Sequence, residues 1–62
     1  MTPENIKTMD PFMLSSLINT KLRNEFKSLN DLCSHFSLDK KELLERLSQF
    51  GYEYYGEINQ FR

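Results

Sequence analysis

The sequence predicts a mainly α fold: a three-helix bundle with a helix-turn-helix-like centre, followed by a C-terminal β-hairpin. Three observations carry this reading. Apolar residues recur at helical spacing in three successive stretches. Each stretch opens on a residue that caps helices well, Asp10, Ser28 or Asp39. From Tyr52 onward the period changes to an aromatic-rich alternation about Gly56, the pattern of a hairpin. The expected layout is a flexible N-terminal segment over 1–9 and one helical domain over 10–62. Its helices span about 11–26, 29–36 and 40–50, and its hairpin about 52–61.

The segment Met1–Met9 is polar. Thr2-Pro3 could start a helical turn, and only Ile6 and Met9 could dock on a core. Asp10-Pro11 then starts the first long helix, with Asp as cap and Pro at the first position, where no N–H is missed. Leu14, Ile18, Leu22 and Phe26 recur every four residues and Leu17 joins their side, which makes a one-faced amphipathic helix. Phe12 and Met13 fall off that stripe, at the start of the helix. Ser28 caps the next helix, whose Leu29, Leu32, Cys33 and Phe36 share one face. Ser37-Leu38 makes the turn. Asp39 with Glu42 forms a capping box, and the third helix is expected to bury Leu43, Leu44, Leu47 and Phe50. Gly51 stops it, being suited to the left-handed position after a helix. In the tail, a two-residue Gly56-Glu57 loop would set Tyr52 opposite Phe61 and Tyr54 opposite Asn59. Those four would face the core, with Glu53, Tyr55, Ile58 and Gln60 outside.

Size and charge limit the function. The chain has 62 residues, room for one domain, and a domain this small buries only about 60% of its unfolded surface. No deep cleft can be walled by several elements, so neither an enzyme nor a small-molecule substrate is expected. The net charge is -1 and the isoelectric point about 5.7, whereas nucleic-acid binders commonly carry a basic patch. No apolar run is long enough to span a membrane, and the start lacks the pattern of a secretory signal. The lone Cys33 forms no internal disulfide, which fits a reducing, cytoplasmic setting.

Catalytic and metal chemistry find no support. Cys33 lies on an apolar face, and His35, two positions on, points to another. One His and one Cys do not make a four-ligand zinc site, and there is no glycine-rich phosphate loop. No cofactor is therefore expected.

The order of three helices and a hairpin is winged-helix-like. Its centre meets the packing needs of a helix-turn-helix: small Cys33 at the crossing, Leu38 as anchor in the turn, Leu43 and Leu47 holding the second helix. Ser37 stands where many such turns use glycine. As a DNA reader, the third helix would offer Lys40, Lys41 and Arg46, with Lys21, Arg23 or Lys27 on phosphates. Three acids, Asp39, Glu42 and Glu45, balance its three bases. An ion pair between Glu42 and Arg46 on a solvated face is the plainer reading.

The residues Asp10-Pro11-Phe12-Met13-Leu14-Ser15, Asn19, Leu22-Arg23, Ser28-Leu29, Leu32-Cys33, Gly51-Tyr52-Glu53-Tyr54 and Asn59-Gln60-Phe61 resemble a family of short bacterial proteins classed only as a domain of unknown function. The resemblance runs from Asp10 onward. It implies a bacterial, cytoplasmic, stand-alone protein and brings no activity or site residues. The expected function is a non-catalytic binding module that contacts another protein or a second copy of itself. Phe12, Met13, Tyr55 and Ile58 are the candidate interface, since aromatics concentrate at interfaces. The alternative is a small winged helix-turn-helix-like DNA-binding regulator.

Overall fold

In the computed structural model, which describes residues 2–62, four helices precede a two-stranded hairpin. They are α1 (Pro3–Thr8), α2 (Pro11–Asn24), α3 (Leu29–Phe36) and α4 (Lys40–Ser48), then β1 (Tyr54–Tyr55) and β2 (Gln60–Phe61). The three longer helices and the antiparallel hairpin follow the predicted order.

The helix starts are set by side-chain caps. Thr2 accepts from the Asn5 N–H, Asp10 from Met13, Ser28 from Asp31, and Asp39 from Lys41 and Glu42. Each satisfies a donor that the first helical turn leaves orphaned. The stops are equally local. After α3, the Leu38 N–H reaches the Cys33 carbonyl at 2.8 Å while Ser37 takes φ 57°. After α4, the Tyr52 N–H reaches the Leu47 carbonyl at 3.0 Å while Gly51 takes φ 88°. Both are Schellman closures. The first places a serine where glycine would be unstrained.

The core gathers Leu14, Ile18 and Leu22 of α2, Leu29, Leu32 and Cys33 of α3, Leu38 of the turn, and Leu43 and Leu47 of α4. Ile6 and Phe61 close it from the two ends of the chain. Fully burying a leucine or isoleucine contributes roughly 1.5–3 kcal/mol. Ser15 is the one buried polar residue among those described, and its hydroxyl donates to the Phe12 carbonyl at 2.9 Å.

The structure departs from the sequence expectations at five places. The segment 1–9, expected to be flexible, forms α1 over Pro3–Thr8 and buries Ile6 against the α3–α4 turn; Met1 lies outside the described residues. Arg46 holds this helix in place. Its Nε and Nη2 donate to the carbonyls of Ile6 and Met9 at 3.3 and 3.1 Å. The expected Glu42–Arg46 pair is therefore replaced, and Glu42 pairs with Lys7 at 3.6 Å.

Next, α2 ends at Asn24 and α4 at Ser48, two residues short of the expected bounds at 26 and 50. Leu17 and Phe50 are exposed rather than buried, because Leu17 lies beyond the arc of α2 that the small core covers and Phe50 lies in the turn after α4 has ended.

Last, the hairpin pairs Tyr54 with Phe61 and Tyr55 with Gln60, a two-residue shift from the expected register. The loop is Gly56–Asn59, and Asn59, not Gly56, takes the left-handed conformation, at φ 54°. Three bonds to the Asn59 side chain select this loop. Its Nδ2 donates to the Leu22 and Phe26 carbonyls at 3.1 and 3.0 Å, and its Oδ1 accepts from the Tyr54 hydroxyl at 2.7 Å. A shift by two preserves the faces, so Phe61 points inward and Tyr55 outward as expected.

Candidate interaction surfaces

The hairpin is the element that shapes the surface, and α2 sets its position. The Asn19 side chain pairs with β2 as a further strand would: its Oδ1 accepts from the Phe61 N–H at 2.7 Å and its Nδ2 donates to the Phe61 carbonyl at 3.0 Å. The Gln60 Nε2 donates to the Asn19 carbonyl at 3.0 Å. Since Asn59 bonds Leu22 and Phe26 while Phe61 bonds Asn19, β2 runs antiparallel to α2. The outer edge of β2 is thereby closed.

On the outward side of the hairpin, Tyr55 and Ile58 share a depression of about 300 Å³ with Glu57 and Arg62. The Tyr55 hydroxyl donates to Glu53 at 3.4 Å. Phe12 and Met13 are the most exposed large apolar residues described, at 71% and 64%. Helical geometry separates them. Phe12 precedes Asn19 by seven positions and so shares the flank of α2 that meets the hairpin. Met13 is turned about 100° away and aligns with Leu17, four positions on. The four predicted interface residues are all exposed; Tyr55 and Ile58 come together, Phe12 lies on their flank of α2, and Met13 belongs to another stripe.

A second concave surface lies between α4 and β1. It is a groove of about 240 Å³ lined by Leu44, Glu45, Ser48, Tyr52, Glu53 and Tyr54. Sequence reasoning missed it, because the groove exists only once the register sets Tyr54 and Glu53 beside α4. The one available signal was that α4 keeps an apolar Leu44 off its main stripe.

The six candidate DNA-contacting cations are dispersed and partly engaged. Arg46 is turned back onto α1 and also lies over the Phe50 ring at 5.7 Å. Lys40 is half-buried, and Lys41 is exposed on the outer face of α4 among Glu42, Glu45, Ser48 and Gln49. That face is open, flanked by α1 on one side and the hairpin on the other, but it offers one base to two acids. Lys21 is half-buried, 3.4 Å from Glu25 and 5.4 Å from the Phe36 ring centroid. Arg23 and Lys27 are exposed at the end of α2, with Glu25 between them.

The remaining reactive groups are structural in setting. Cys33 is buried and free; burial pushes its thiol above the ordinary value, with Lys40 opposing and Asp39 adding to that rise. His35 meets the Phe26 ring at a tilt and the Phe36 ring edge to face, with centroids 5.3 and 4.7 Å away. Among the described residues no three of His, Cys, Asp and Glu gather as a metal site, and no helix is long and apolar enough to cross a membrane.

One family model matches residues 8–61 of the chain, and its description is a domain of unknown function (DUF4250). No curated protein and no solved structure matches.

Proposed function

We propose a function from one premise: the chain belongs to the DUF4250 family of domains of unknown function, a description that names no activity. Its role is that of a non-catalytic module that contacts other protein chains, by association with a partner or with a second copy. The observation that carries this reading is the apolar surface left outside the core. Phe12, Met13, Phe50, Tyr55 and Ile58 are all at least 45% exposed in a chain of 62 residues. Of these, Tyr55 and Ile58 adjoin on the outward side of the hairpin; contiguous exposed apolar surface marks interaction sites, and aromatics are enriched there. The lone reduced cysteine fits a cytoplasmic setting for this role.

DNA recognition is supported less well. The outer face of α4 presents Glu42 and Glu45 beside Lys41, and carboxylates at that position repel phosphate. Arg46, the base a recognition helix would need most, is engaged with two backbone carbonyls.

Light scattering across a concentration series, with a pull-down that compares the wild type and a Phe12→Ser/Tyr55→Ser/Ile58→Ser variant, tests the protein-contact reading. The expected result is self-association or a retained partner that the variant loses. A monomer at every concentration that retains nothing beyond what the variant retains overturns it. Salt-dependent binding of a mixed-sequence duplex, abolished by Lys40→Glu/Lys41→Glu, would establish the DNA reading in its place.

A further inference from the structure

We propose that the groove between α4 and β1 binds an extended segment of another protein, one with an apolar side chain flanked by lysine or arginine. This deepens the protein-contact reading and rests on it for the class of partner.

The two edges of the hairpin differ in how their backbone groups are met. Glu53 and Arg62 exchange both backbone hydrogen bonds, at 2.9 Å each. In an antiparallel ladder, hydrogen-bonded and non-hydrogen-bonded pairs alternate. The next pair, Tyr54 with Phe61, therefore points its N–H and C=O groups outward, away from the partner strand. On the β2 side those groups of Phe61 are taken by the Asn19 amide. On the β1 side the matching groups of Tyr54 face the outer edge, beside which the groove runs. An outward-facing strand edge is a template for an added strand, with main-chain bonds for affinity and neighbouring pockets for selectivity.

The groove itself is apolar along its walls and acidic in its charged lining. Leu44, Tyr52 and Tyr54, all half-buried, supply its apolar walls, and its volume of about 240 Å³ suits one large apolar side chain. Glu45 from α4 and Glu53 from the segment leading into β1 both line it, the Glu53 carboxylate also accepting from the Tyr55 hydroxyl, and its lining holds no lysine or arginine. Glu42, one turn before Glu45, is already paired with Lys7, which leaves Glu45, among the described residues, as the unpaired carboxylate of α4 nearest the groove. Charge complementarity then selects a cationic segment over an acidic one. It also selects against nucleic acid, whose phosphates meet the same carboxylates.

The test is a titration of the 15N-labelled full chain with a capped seven-residue peptide of alternating lysine and leucine, read by amide chemical shifts. Two control peptides accompany it: one with glutamate for lysine, and one N-methylated at the central leucine, which cannot donate to the Tyr54 carbonyl. The proposal expects saturable shifts at Leu44, Glu45, Ser48, Glu53 and Tyr54. It expects at least tenfold weaker binding by each control and by Glu45→Lys/Glu53→Lys, whose positions are exposed and whose fold is checked by circular dichroism. Shifts confined to Tyr55, Gly56 and Ile58 overturn the groove and leave the wider protein-contact reading standing. Equal binding of the glutamate peptide, no shifts up to millimolar peptide, or the same groove shifts on raising the protein concentration alone also overturn it. The last of these assigns the groove to a second copy.

Discussion

Asn59 is the side chain on which the hairpin most depends, and replacing it gives a quantitative test. Its amide makes three hydrogen bonds, two to the carbonyls of Leu22 and Phe26 and one from the Tyr54 hydroxyl. At a net contribution of about 1 kcal/mol each, their loss costs about 3 kcal/mol. Water can reach this half-buried site and offsets part of that. Asn59 also sits at φ 54°, where alanine is roughly 1 kcal/mol worse off than a residue that tolerates the left-handed region. Asn59→Ala should therefore destabilise by roughly 2–4 kcal/mol, against a total of about 3–9 kcal/mol for a domain of this size. At about 4–8 °C per kcal/mol for a small domain, this lowers Tm by roughly 8–32 °C. Asn59→Gly loses the same bonds without the backbone strain, and should be milder than Asn59→Ala by about 1 kcal/mol. Urea and thermal unfolding, followed by far-ultraviolet dichroism and tyrosine fluorescence, measure both. An Asn59→Ala protein within about 0.5 kcal/mol of wild type refutes the assignment of the hairpin register to this side chain. A glycine variant no better than the alanine variant refutes the strain component.

The other predictions concern the turn, the first helix and the thiol. Ser37→Gly relieves the left-handed serine at φ 57° and should raise stability by about 0.5–1 kcal/mol, seen as a higher urea midpoint at unchanged slope. Arg46→Ala frees the Ile6 and Met9 carbonyls and should cost about 1–2 kcal/mol; amide exchange should speed up over α1 first. Arg46→Lys should rescue only part of this, since one ammonium does not reproduce the forked contact to two carbonyls. Cys33 should react slowly with a thiol reagent near neutral pH in the folded protein and rapidly once urea unfolds it, because burial raises its pKa. A raised thiol pKa means that folding disfavours the thiolate. The associated stability is complete below the unfolded thiol pKa and is lost as pH rises through the folded one. Unfolding free energy should therefore fall in the alkaline range, and less so in Cys33→Ala.

Much of the fold was legible because it is made by interactions within four or five positions. Asp10, Ser28 and Asp39 cap the helices that follow them, and Ser37 and Gly51 close the helices before them. The apolar spacing of Leu14, Ile18 and Leu22, and of Leu29, Leu32 and Cys33, named most of the core in advance. The outward side of the hairpin was equally readable, since alternation alone puts Tyr55 opposite to Phe61 and survives the two-residue shift. The groove was not, for none of its walls is defined until α4 and β1 lie side by side.

The sequence by itself thus determined the three longer helices, where each begins, and most of the stripe that each turns inward. The reason is that caps, turns and periodicity act between near neighbours. The tertiary structure alone decided the hairpin register, the destination of Arg46 and the docking of α1. Each of these choices lies between alternatives of similar local energy, and distant groups select among them: the Leu22 and Phe26 carbonyls for Asn59, 37 and 33 positions away, and the Ile6 and Met9 carbonyls for Arg46, 40 and 37 positions away. Which apolar residues remain outside is also a tertiary outcome. A core this small covers only one arc of α2 and ends with α4, so Leu17, at the margin of that arc, and Phe50, past the helix end, are left on the surface.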